Sequence, residues 1–522
     1  MANKEAFLQV VQQGYLFSGE QIKIGRGMLN GEVVEGADIY LPLKMVNRHG
    51  LIAGATGTGK TKTLQMLSEQ LSAASVPVLV LDIKGDLSGI AAPGTPNAKL
   101  TERAQLLGME WTPQEAPAEL LTLSDKPGVR LRATVSEFGP VLLSKILGLN
   151  DTQGGIVAII FKYCDDHQLP LLDLKDFIKV LQYISNEGKK ELEAAYGKIS
   201  TTSTGTILRK VIELQQQGAD QFFGEHSFEV DDLMRIADDG RGVVSVLRVT
   251  ELQDRPKLFS TFMLQLLAEL YASSPEEGDL DKPKLVLFID EAHLIFNDAS
   301  EVLLQQIETI MKLIRSKGIG VYFCTQSPTD VPGAVLSQLG MKVQHALRAF
   351  TAADRKAIKQ AAENYPETAF YDTDSLLTQL GIGEALVTLL NEKGVPTPLV
   401  HTMMAPPRSR MDVLNEEEVH AVVQQSRIAA KYNTPVDSHS AYEMLHQKIA
   451  AAQQRTEEIK QMETAAKEEK KADKKQPKEE SWMDNPMVKS AGRTAATMLT
   501  RSLLGVLGLG GSTRRKRKSG WF

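Results

Sequence analysis

The chain has 522 residues, a length typical of two to four domains, and its 42% hydrophobic and 24% charged residues are an ordinary globular composition with ample material for a core. Its net charge is −6, and an acidic chain argues against a broad nucleic-acid-binding surface while leaving room for a local basic channel. The two cysteines, Cys164 and Cys324, lie in apolar runs without CxxC spacing, which excludes a disulfide framework or a zinc site and indicates buried thiols in a reducing compartment.

The sequence gives no sign of membrane insertion. Met1–Glu20 lacks the basic stretch followed by an apolar core that marks a secretory signal. A spanning helix needs about 18 consecutive apolar residues, and no run reaches that length. We therefore expect a cytoplasmic protein.

Residues 1–48 are predicted to form a short β-rich N-terminal segment. Three short β-like runs, separated by glycine-rich turns, carry this prediction: Phe7–Val11, Gln21–Ile24 and Asp38–Leu41. At residue 49 the pattern changes to an apolar strand, a glycine-rich loop and a helix, so we begin the next domain there.

That glycine-rich loop matches the phosphate-binding consensus G-x-x-x-x-G-K-[ST] (the Walker A motif) at every position: Gly54, Ala55, Thr56, Gly57, Thr58, Gly59, Lys60 and Thr61. The glycines let backbone N–H groups curl around a β-phosphate, and Lys60 reaches the β- and γ-phosphate oxygens. The Thr61 hydroxyl ligates Mg²⁺, and the helix that continues from Lys62 points its N-terminus at the phosphates. The full match in this context disfavours a chance turn and predicts an ATP–Mg²⁺ site.

Continuous apolar runs of the kind buried in parallel sheets occur at Val76–Asp82, Lys284–Asp290 and Ile319–Thr325, and each precedes a helical pattern. Strands alternating with helices predict an α/β fold, a P-loop NTPase (RecA-like) core with a parallel sheet. Residues 138–237 carry apolar residues at helical spacing instead. We predict a helical insertion there, which divides the core into residues 49–137 and 238–405.

Acidic residues end two of these runs. Asp290 and Glu291 come at the end of the second run. Asp290 would hold Mg²⁺ through water, and Glu291 would polarise the attacking water as general base. The alternative is an acidic pair that only caps the strand–helix junction. Asp82 ends the first run and would either orient Lys60 or the metal water, or close a strand-end turn. His293, without another histidine at ligand spacing, is interpreted as structural and not as a metal ligand.

Gln326 ends the third run, in the sequence Cys324-Thr325-Gln326-Ser327-Pro328. A side-chain amide at the end of the strand after the acidic strand is placed to touch the γ-phosphate or the attacking water. An ordinary turn residue is the alternative. The sequence leaves both interpretations open.

The C-terminal part is divided into a helical region (406–454), a charged low-complexity linker (455–483) and a basic tail (484–522). Arg455–Glu480 has eight Lys/Arg and eight Asp/Glu and cannot bury a core, so it is either a solvated helix or a disordered tether. The tail has eight Lys/Arg against Asp484 alone, a basic amphipathic stretch and a terminal Trp521-Phe522. It suits DNA, an anionic membrane surface or a protein partner, or serves only as a solubilising tail.

Taken in order, these motifs resemble the HerA/FtsK class of P-loop motors, and within it the HerA-like helicase/translocase subgroup of bacterial ATPases. The resemblance covers most of residues 45–405. It rests on the phosphate loop, on Asp290-Glu-Ala-His, on Thr325-Gln326, and on three further stretches: Asn47-Arg48-His49-Gly50-Leu51, Asp82-Ile-Lys-Gly-Asp86 and Leu380-Gly-Ile-Gly-Glu-Ala-Leu.

This resemblance implies a homohexameric ring that hydrolyses ATP between subunits and pulls double-stranded DNA through its centre. It also implies an arginine from the neighbouring subunit that stabilises the charge of the transition state. Arg315, on the helix between the Asp290 and Gln326 strands, and Arg348, on the strand after Gln326, fit this role by position, with a surface salt bridge as the alternative for each. We favour Arg315.

The sequence therefore predicts an ATPase, namely a hexameric HerA-like DNA translocase. The main alternative is a ring ATPase that remodels a protein or acts at a membrane surface without a DNA track. The acidic charge of the residues before the basic tail favours this alternative. A nucleotide-binding switch is a weaker third possibility, because a switch needs no dedicated base such as Glu291.

Overall fold

The computed structural model describes residues 4–253, 255–278, 280–297, 301–436 and 438–473. Its helices are α1 (Lys4–Gly14), α2 (Lys60–Ala73), α3 (Ala98–Leu106), α4 (Val135–Ile146), α5 (Asp151–Asp166), α6 (Leu174–Ser185), α7 (Lys189–Tyr196), α8 (Thr201–Gln216), α9 (Val230–Leu233), α10 (Pro256–Ser273), α11 (His293–Phe296), α12 (Glu301–Leu313), α13 (Gly333–Leu336), α14 (Ala352–Ala362), α15 (Thr373–Gln379), α16 (Glu416–Gln425), α17 (Ala429–Asn433) and α18 (Ala441–Asp473).

The strands are β1 (Gln21–Leu29), β2 (Glu32–Pro42), β3 (Gly50–Ala53), β4 (Val78–Asp82), β5 (Ala118–Thr122), β6 (Val129–Arg130), β7 (Val244–Arg248), β8 (Leu285–Ile289), β9 (Ile319–Thr325), β10 (Met341–Gln344), β11 (Glu384–Thr388) and β12 (Val400–Met404). Within the described residues they form one sheet in the order β2-β1-β12-β11-β10-β3-β9-β8-β4-β7-β5-β6. From β10 to β6 every pairing is parallel, and from β2 to β10 every pairing is antiparallel.

The parallel half confirms the predicted α/β P-loop core. Every residue of β3, β4, β8 and β9 is buried, as expected for strands covered on both faces by helices. The apolar runs of the sequence end where these strands end, so the polar residues that follow them meet at one edge of the sheet. Helices α4 to α9 lie between β6 and β7, in the stretch where the sequence predicts a helical insertion.

One prediction for the N-terminal segment is wrong. Phe7–Val11 belongs to helix α1 and not to a strand, because Phe7 and Val11 are one helical turn apart and both are buried on the same face. The other two runs lie in β1 and β2, as predicted. These strands continue the central sheet through the pairing of β1 with β12, so the N-terminal residues complete the same sheet as the core.

The chain divides into two compact units, residues 1–447 and 448–522. In the first unit, the opening turn of α18 packs on the helical insertion: Ala441 donates its N–H to the carbonyl of Pro170, at 2.9 Å. In the second unit, α18 continues to Asp473 with exposed side chains at residues 451–467, so this part of the charged stretch is a solvated helix. The rest of the predicted linker and the basic tail lie outside the described residues.

No helix within the described ranges combines the length and the apolar character that a membrane span requires. Cys164 and Cys324 are both free and buried, as predicted.

Candidate active site

Most of the predicted site residues meet at the carboxyl edge of the parallel strands. The phosphate loop leaves β3, Gln326 follows its neighbour β9, and Asp290 with Glu291 follows β8, the next strand along. Ligand sites of open α/β sheets lie at this edge. The topology therefore brings together, from three adjacent strands, groups that are far apart in sequence.

The phosphate loop is held by hydrogen bonds from both sides. Gly54 donates its N–H to the carbonyl of Thr325 at 3.2 Å, and Ala55 donates to Ala346 at 2.8 Å. Gly57 and Gly59 have φ angles of 78° and 114°, in the left-handed region that favours glycine. The loop thus curls ahead of α2, whose first turn begins at Lys60 with the N-terminal N–H groups directed into the loop.

Lys60 is the buried cation of this loop. Its side chain folds back so that Nζ donates to the carbonyl of Ala55 at 3.3 Å, and the residue is 6% exposed. Burial lowers the pKa of the ammonium and nearby Lys84 lowers it further, whereas Glu291 and Asp290 act in the opposite direction. An ammonium poised over the loop in this way is placed to meet the negative charge of phosphates.

Thr61 and Lys62 follow in the first turn of α2, and both are half-buried. The Lys62 ammonium donates to the carbonyl of Met411 at 2.6 Å and to Gln65 Oε1 at 3.1 Å. Its side chain is therefore engaged with neighbouring protein groups, and burial lowers its pKa. The contribution that Lys62 can make to a phosphate site is its backbone N–H at the helix start.

Asp290 lies directly after β8 and is 3% exposed. Its Oδ2 finds no hydrogen-bond partner among the described residues, which is costly for a buried carboxylate. Burial raises the pKa of this carboxyl to about 7, Lys84 lowers it, and the adjacent Glu291 raises it again. A buried acceptor of this kind fits a cation that is present when nucleotide is bound.

The donor set as a whole fits Mg²⁺ in the manner usual for nucleotide enzymes. Magnesium binds through one or two protein oxygens together with water and substrate phosphates. The structure offers the orphaned Asp290 oxygen and the Thr61 hydroxyl at this edge. In the part of the chain that the structure describes, no cluster of three or more His, Cys, Asp or Glu side chains forms a separate protein-only metal cage.

Glu291 is nearly enclosed, with its side chain 6% exposed. Its backbone has a φ of 47°, a left-handed conformation that is uncommon for a residue with a side chain. Oε1 forms an ion pair with the ammonium of Lys84, and Oε2 lies 3.2 Å from His293 Nδ1. His293 therefore contacts the proposed base, which agrees with its interpretation as a supporting residue and not a metal ligand.

Asp82 organises the loop after β4. Its Oδ1 accepts the N–H groups of Gly85 and Asp86 at 2.7 and 3.2 Å, and its Oδ2 accepts that of Leu87 at 3.1 Å. Burial raises the pKa of Asp82 to about 6, and the nearby Asp86 carboxylate adds to this. Of the two roles that the sequence left open for Asp82, these bonds favour the strand-end turn.

Gln326 is exposed at the end of β9, on the same edge as the acidic pair. The turn that follows is closed by Asp330, whose Oδ2 accepts from Thr325 Oγ1 at 2.5 Å and from the Ser327 N–H at 3.0 Å. This short capped turn fixes the backbone at Gln326 and leaves its side chain facing solvent beside the site.

Arg315 lies at the opposite edge of the sheet. It belongs to the 3-10 turn Ile314–Lys317, just before β9 begins, whereas the phosphate loop leaves the far end of the parallel strand β3. The seven residues of β9 separate the two edges by about 20 Å at ~3.3 Å per residue. The Arg315 guanidinium therefore cannot reach the phosphate loop of its own chain.

Arg315 lines a cleft of about 650 Å³ at that edge. The charged residues lining this cleft are mostly cationic: Arg48, Lys312, Arg315, Lys342 and Glu363. One buried imidazole of the cleft lining makes two contacts: His49 Nε2 lies 2.9 Å from the Met311 carbonyl, and His49 Nδ1 accepts the Val321 N–H at 3.1 Å. The cleft is a cationic surface separate from the phosphate loop.

The placement predicted for Arg348 needs a correction. β10 ends at Gln344, so Arg348 lies in the loop after the strand and is exposed. This loop leaves the carboxyl edge, because Ala346 accepts the Ala55 N–H from the phosphate loop. Arg348 thus lies on the same edge as its own nucleotide site, in contrast to Arg315.

Several supporting residues were missed by sequence reasoning. Gly383 donates its N–H to the Thr58 carbonyl at 2.9 Å, and Arg103 holds the same turn by donating to the Ile382 carbonyl at 2.8 Å. His345 and Lys84 contact the loop helix and Glu291, respectively. The stretches Leu380-Gly-Ile-Gly and Asp82-Ile-Lys-Gly did carry the family resemblance, but nothing in their spacing showed what they would touch.

The parallel sheet, the phosphate loop and the acidic pair after β8 together define a P-loop nucleoside triphosphate hydrolase. Comparison with known proteins identifies the family within this class. The family model described as "Helicase HerA-like C-terminal" matches residues 28–517. The chain belongs to this family and is a P-loop ATPase of the HerA/FtsK superfamily.

Relatives with curated names are similar to this chain at low sequence identity. The chain is 22% identical over 382 residues to the DNA double-strand break repair helicase HerA of Sulfurisphaera tokodaii, covering 71% of this chain and 67% of the relative. It is 24% identical over 373 residues to the protein of the same name from Saccharolobus solfataricus, covering 70% and 66%. The chain thus spans about two thirds of the length of these relatives.

Solved structures with a similar fold include the plasmid coupling protein TrwB in complex with a GTP analogue, at a TM-score of 0.49 and 14% identity, covering 76% of this chain and 99% of that chain. VirB4 of Thermoanaerobacter pseudethanolicus matches at a TM-score of 0.47 and 15% identity, covering 75% and 98%.

Proposed function

We propose that this protein is a cytoplasmic motor ATPase that assembles into a homohexameric ring and moves along double-stranded DNA. The observation that supports the proposal is the position of the candidate residues at two edges of the sheet. The phosphate loop and the acidic pair lie at one edge, and Arg315 lies in a cationic cleft at the other, about 20 Å away. An Arg315 that serves a phosphate loop therefore has to serve that of a second copy of the chain.

Within one subunit, we assign binding to the loop and chemistry to the acidic pair. Lys60 and the N–H groups of Gly57 and of Gly59 to Lys62 hold the β- and γ-phosphates, whereas those of Gly54 and Ala55 fix the loop itself. Thr61 with Asp290 would hold Mg²⁺, which supplies charge neutralisation when bound. Glu291 takes a proton from water as the water oxygen bonds to the γ-phosphorus. The bond from that phosphorus to ADP breaks, and ADP leaves with the electron pair. Gln326 orients the water or the γ-phosphate.

Between subunits, we assign the arginine to Arg315. A guanidinium placed against the developing negative charge of a transferring phosphoryl group is a large effect in P-loop enzymes. Arg315 cannot serve its own loop, and it faces a cleft large enough to receive part of a neighbouring subunit. Arg348 remains a second candidate, since its exposed position beside its own site also borders any subunit packed against that edge.

Duplex DNA is proposed as the track because the curated relatives are named DNA double-strand break repair helicases. The acidic net charge of −6 favours the alternative, a ring ATPase that acts on a protein or at a membrane surface. A ring that holds DNA needs only a local basic lining, so the overall charge does not exclude the DNA track.

Steady-state ATPase assays with duplex DNA, single strands and anionic liposomes test the track. Duplex DNA should stimulate the full-length protein at about 50 mM salt, and the stimulation should fade towards about 200 mM because phosphate contacts release counterions. The variant Glu291→Gln is the matched control, since it should bind DNA without turnover. If duplex DNA did not stimulate the ATPase at low salt, or if only liposomes did, the DNA track would be rejected in favour of a ring ATPase that acts on a protein or at a membrane surface.

A further inference from the structure

Lys84 is presented to the active site by a rigid loop. The Asp82 carboxylate accepts three backbone N–H groups of this loop, and Gln253 donates its Nε2 to the Ile83 carbonyl at 2.8 Å. Gly85, with a φ of 78°, completes the turn. Lys84 therefore leaves a fixed backbone and not a flexible surface loop.

The ammonium of Lys84 pairs with Oε1 of Glu291, and His293 approaches the other oxygen at 3.2 Å. The enclosed carboxylate thus has a cation against one oxygen and an imidazole near the other, on a residue whose backbone is in the left-handed region. A glutamate in this conformation keeps one orientation only when its surroundings fix it. The ion pair with Lys84 is a charged contact that acts directly on this carboxylate.

The side from which Lys84 approaches Glu291 bears on two roles of this lysine, namely binding phosphate and positioning Glu291. The strand order is β3-β9-β8-β4, so the phosphate loop leaves from one side of β8 and Lys84 comes from the other. Its ammonium pairs with the Glu291 carboxylate and is also near enough to Lys60 to lower the pKa of that ammonium. The phosphate-contacting cation of the proposed function is Lys60, which lies within the loop itself and donates to the Ala55 carbonyl.

We propose that Lys84 is a positioning residue for hydrolysis, whose ammonium holds Oε1 of Glu291 so that the carboxylate faces the site defined by Lys60 and Asp290. This proposal rests on the role of Glu291 as general base in the proposed function. It assigns to Lys84 no contact with substrate. Misplacement of a catalytic group by about 1 Å can cost on the order of 10²-fold in rate, so a residue that fixes the base has a measurable effect.

The test compares Lys84→Met and Lys84→Arg in the full-length protein, with Lys126→Met as a matched control. Lys126 also lies after a strand of this edge and also pairs with a glutamate, Glu251, at 3.2 Å. We expect Lys84→Met to lower kcat about 10- to 100-fold while KM for ATP changes little. Lys84→Arg should restore most of the rate, and Lys126→Met should leave it unchanged.

Two measurements without turnover complete the test. In the Glu291→Gln background, adding Lys84→Met should not change the affinity for a fluorescent ATP analogue. In the nucleotide-free protein, Lys84→Met should lower the Tm, because it leaves the buried Glu291 carboxylate without its cation. The same substitution should lower the Tm less when Glu291 is already glutamine, since the two residues act as a pair.

Each contrary outcome has a distinct meaning. A weaker affinity for the ATP analogue in the Glu291→Gln background would make Lys84 a phosphate-binding residue and overturn the proposal. An unchanged or raised kcat in Lys84→Met would also overturn it. Wild-type turnover in Glu291→Gln alone would overturn the base assignment and the Lys84 proposal together, whereas a failure confined to Lys84 variants leaves the proposed function standing.

Discussion

The imidazole of His345 lies beneath the phosphate loop, with Nε2 at 3.0 Å from the Thr63 hydroxyl on α2. Its Nδ1 is 2.8 Å from the Glu384 carbonyl, which can only accept a hydrogen bond, so Nδ1 carries the proton and Nε2 accepts from Thr63. A Cβ on Gly54 would lie 2.5 Å from the His345 Cβ. The loop, the helix and β11 are therefore joined through one neutral, buried ring.

This buried ring predicts a pH dependence of stability. Burial lowers the pKa of His345 from 6.5 to about 4. A lowered histidine pKa means that the unfolded chain takes up a proton first, so the stability contributed above pH 6.5 is lost as the pH falls towards 4. At pH 5 the loss is about 2 kcal/mol relative to neutral pH, from the standard value of 1.36 kcal/mol per pKa unit.

Denaturant unfolding of wild type and His345→Asn at pH 7.5 and 5.0 measures this pH-dependent contribution of His345 to the free energy of unfolding. The stability gap between the two proteins should shrink by about 2 kcal/mol on acidification, since other titrating groups are common to both. His420→Asn, on the exposed face of α16, controls for loss of a surface imidazole. A gap that stays constant with pH would show that His345 is not held neutral by burial.

Substitutions at the proposed base and at the loop lysine should separate chemistry from binding. Glu291→Gln keeps the shape of the side chain but cannot take a proton, so turnover should fall by about 10²–10⁴-fold with ATP binding intact. Lys60→Ala removes the cation buried in the loop and should weaken ATP binding itself. Isothermal titration and single-turnover assays distinguish the two. Turnover of Glu291→Gln at the wild-type rate would exclude Glu291 as the base.

The position of Arg315 at the far edge of the sheet predicts complementation between subunits. Arg315→Ala alone should abolish hydrolysis without blocking ATP binding. Mixed with Glu291→Gln subunits it should recover part of the activity, because some interfaces then hold both an intact arginine and an intact base. The measurement is ATPase activity across mixing ratios, with subunit exchange verified by labelled protein.

The controls for this experiment are Arg348→Ala and Arg427→Ala. Arg348→Ala in the same mixing protocol decides between the two candidate arginines. Arg427 forms an exposed ion pair with Asp238, so its loss should leave hydrolysis unchanged. Mixed rings that recover nothing would argue against a trans role for Arg315, and a monomer by light scattering in the presence of ATP would exclude the ring.

The strands and the residues at their ends were predictable because a buried parallel strand is a continuous apolar run. β9 occupies Ile319–Thr325, the predicted residues, and the runs that end at Asp82 and Asp290 are β4 and β8. Phe7–Val11 was mistaken for a strand because a five-residue run with four apolar residues fits both periodicities, and its packing on β2 as a helix decides between them.

Contacts between distant segments were not predictable. The Lys84–Glu291 pair joins residues from two neighbouring strands, and the bond from Gly383 to Thr58 joins the last part of the core to the first. Single-sequence patterns report local periodicity, whereas these contacts depend on the order of strands in the sheet. The same reason explains why the sequence offered both Arg315 and Arg348, with a preference for Arg315, although they lie at opposite edges.

Two truncations of the chain, one before and one within helix α18, are expected to have different outcomes. The first turn of α18 is part of the folded unit: Leu445 is buried, and Tyr442 donates its N–H to Asp176 Oδ1 at 2.8 Å. Asp176 is itself buried, and burial raises its pKa, so its carboxylate depends on these donors. Beyond Ala452 every described side chain up to residue 467 is exposed.

Cutting the chain after Ala452 should therefore leave the basal ATPase and ring formation unchanged, because it removes no buried side chain of the first unit. It should reduce co-sedimentation with anionic liposomes, with DNA, or with both, because it removes the five consecutive cations Arg514–Lys518, each worth about 1 kcal/mol near an anionic membrane. Cutting after Ser438 removes the buried Ala441 and Leu445 as well, and should lower the Tm measurably. If the longer fragment already lost its ring or its basal ATPase, the residues after Ala452 would be part of the motor and not an appended binding segment.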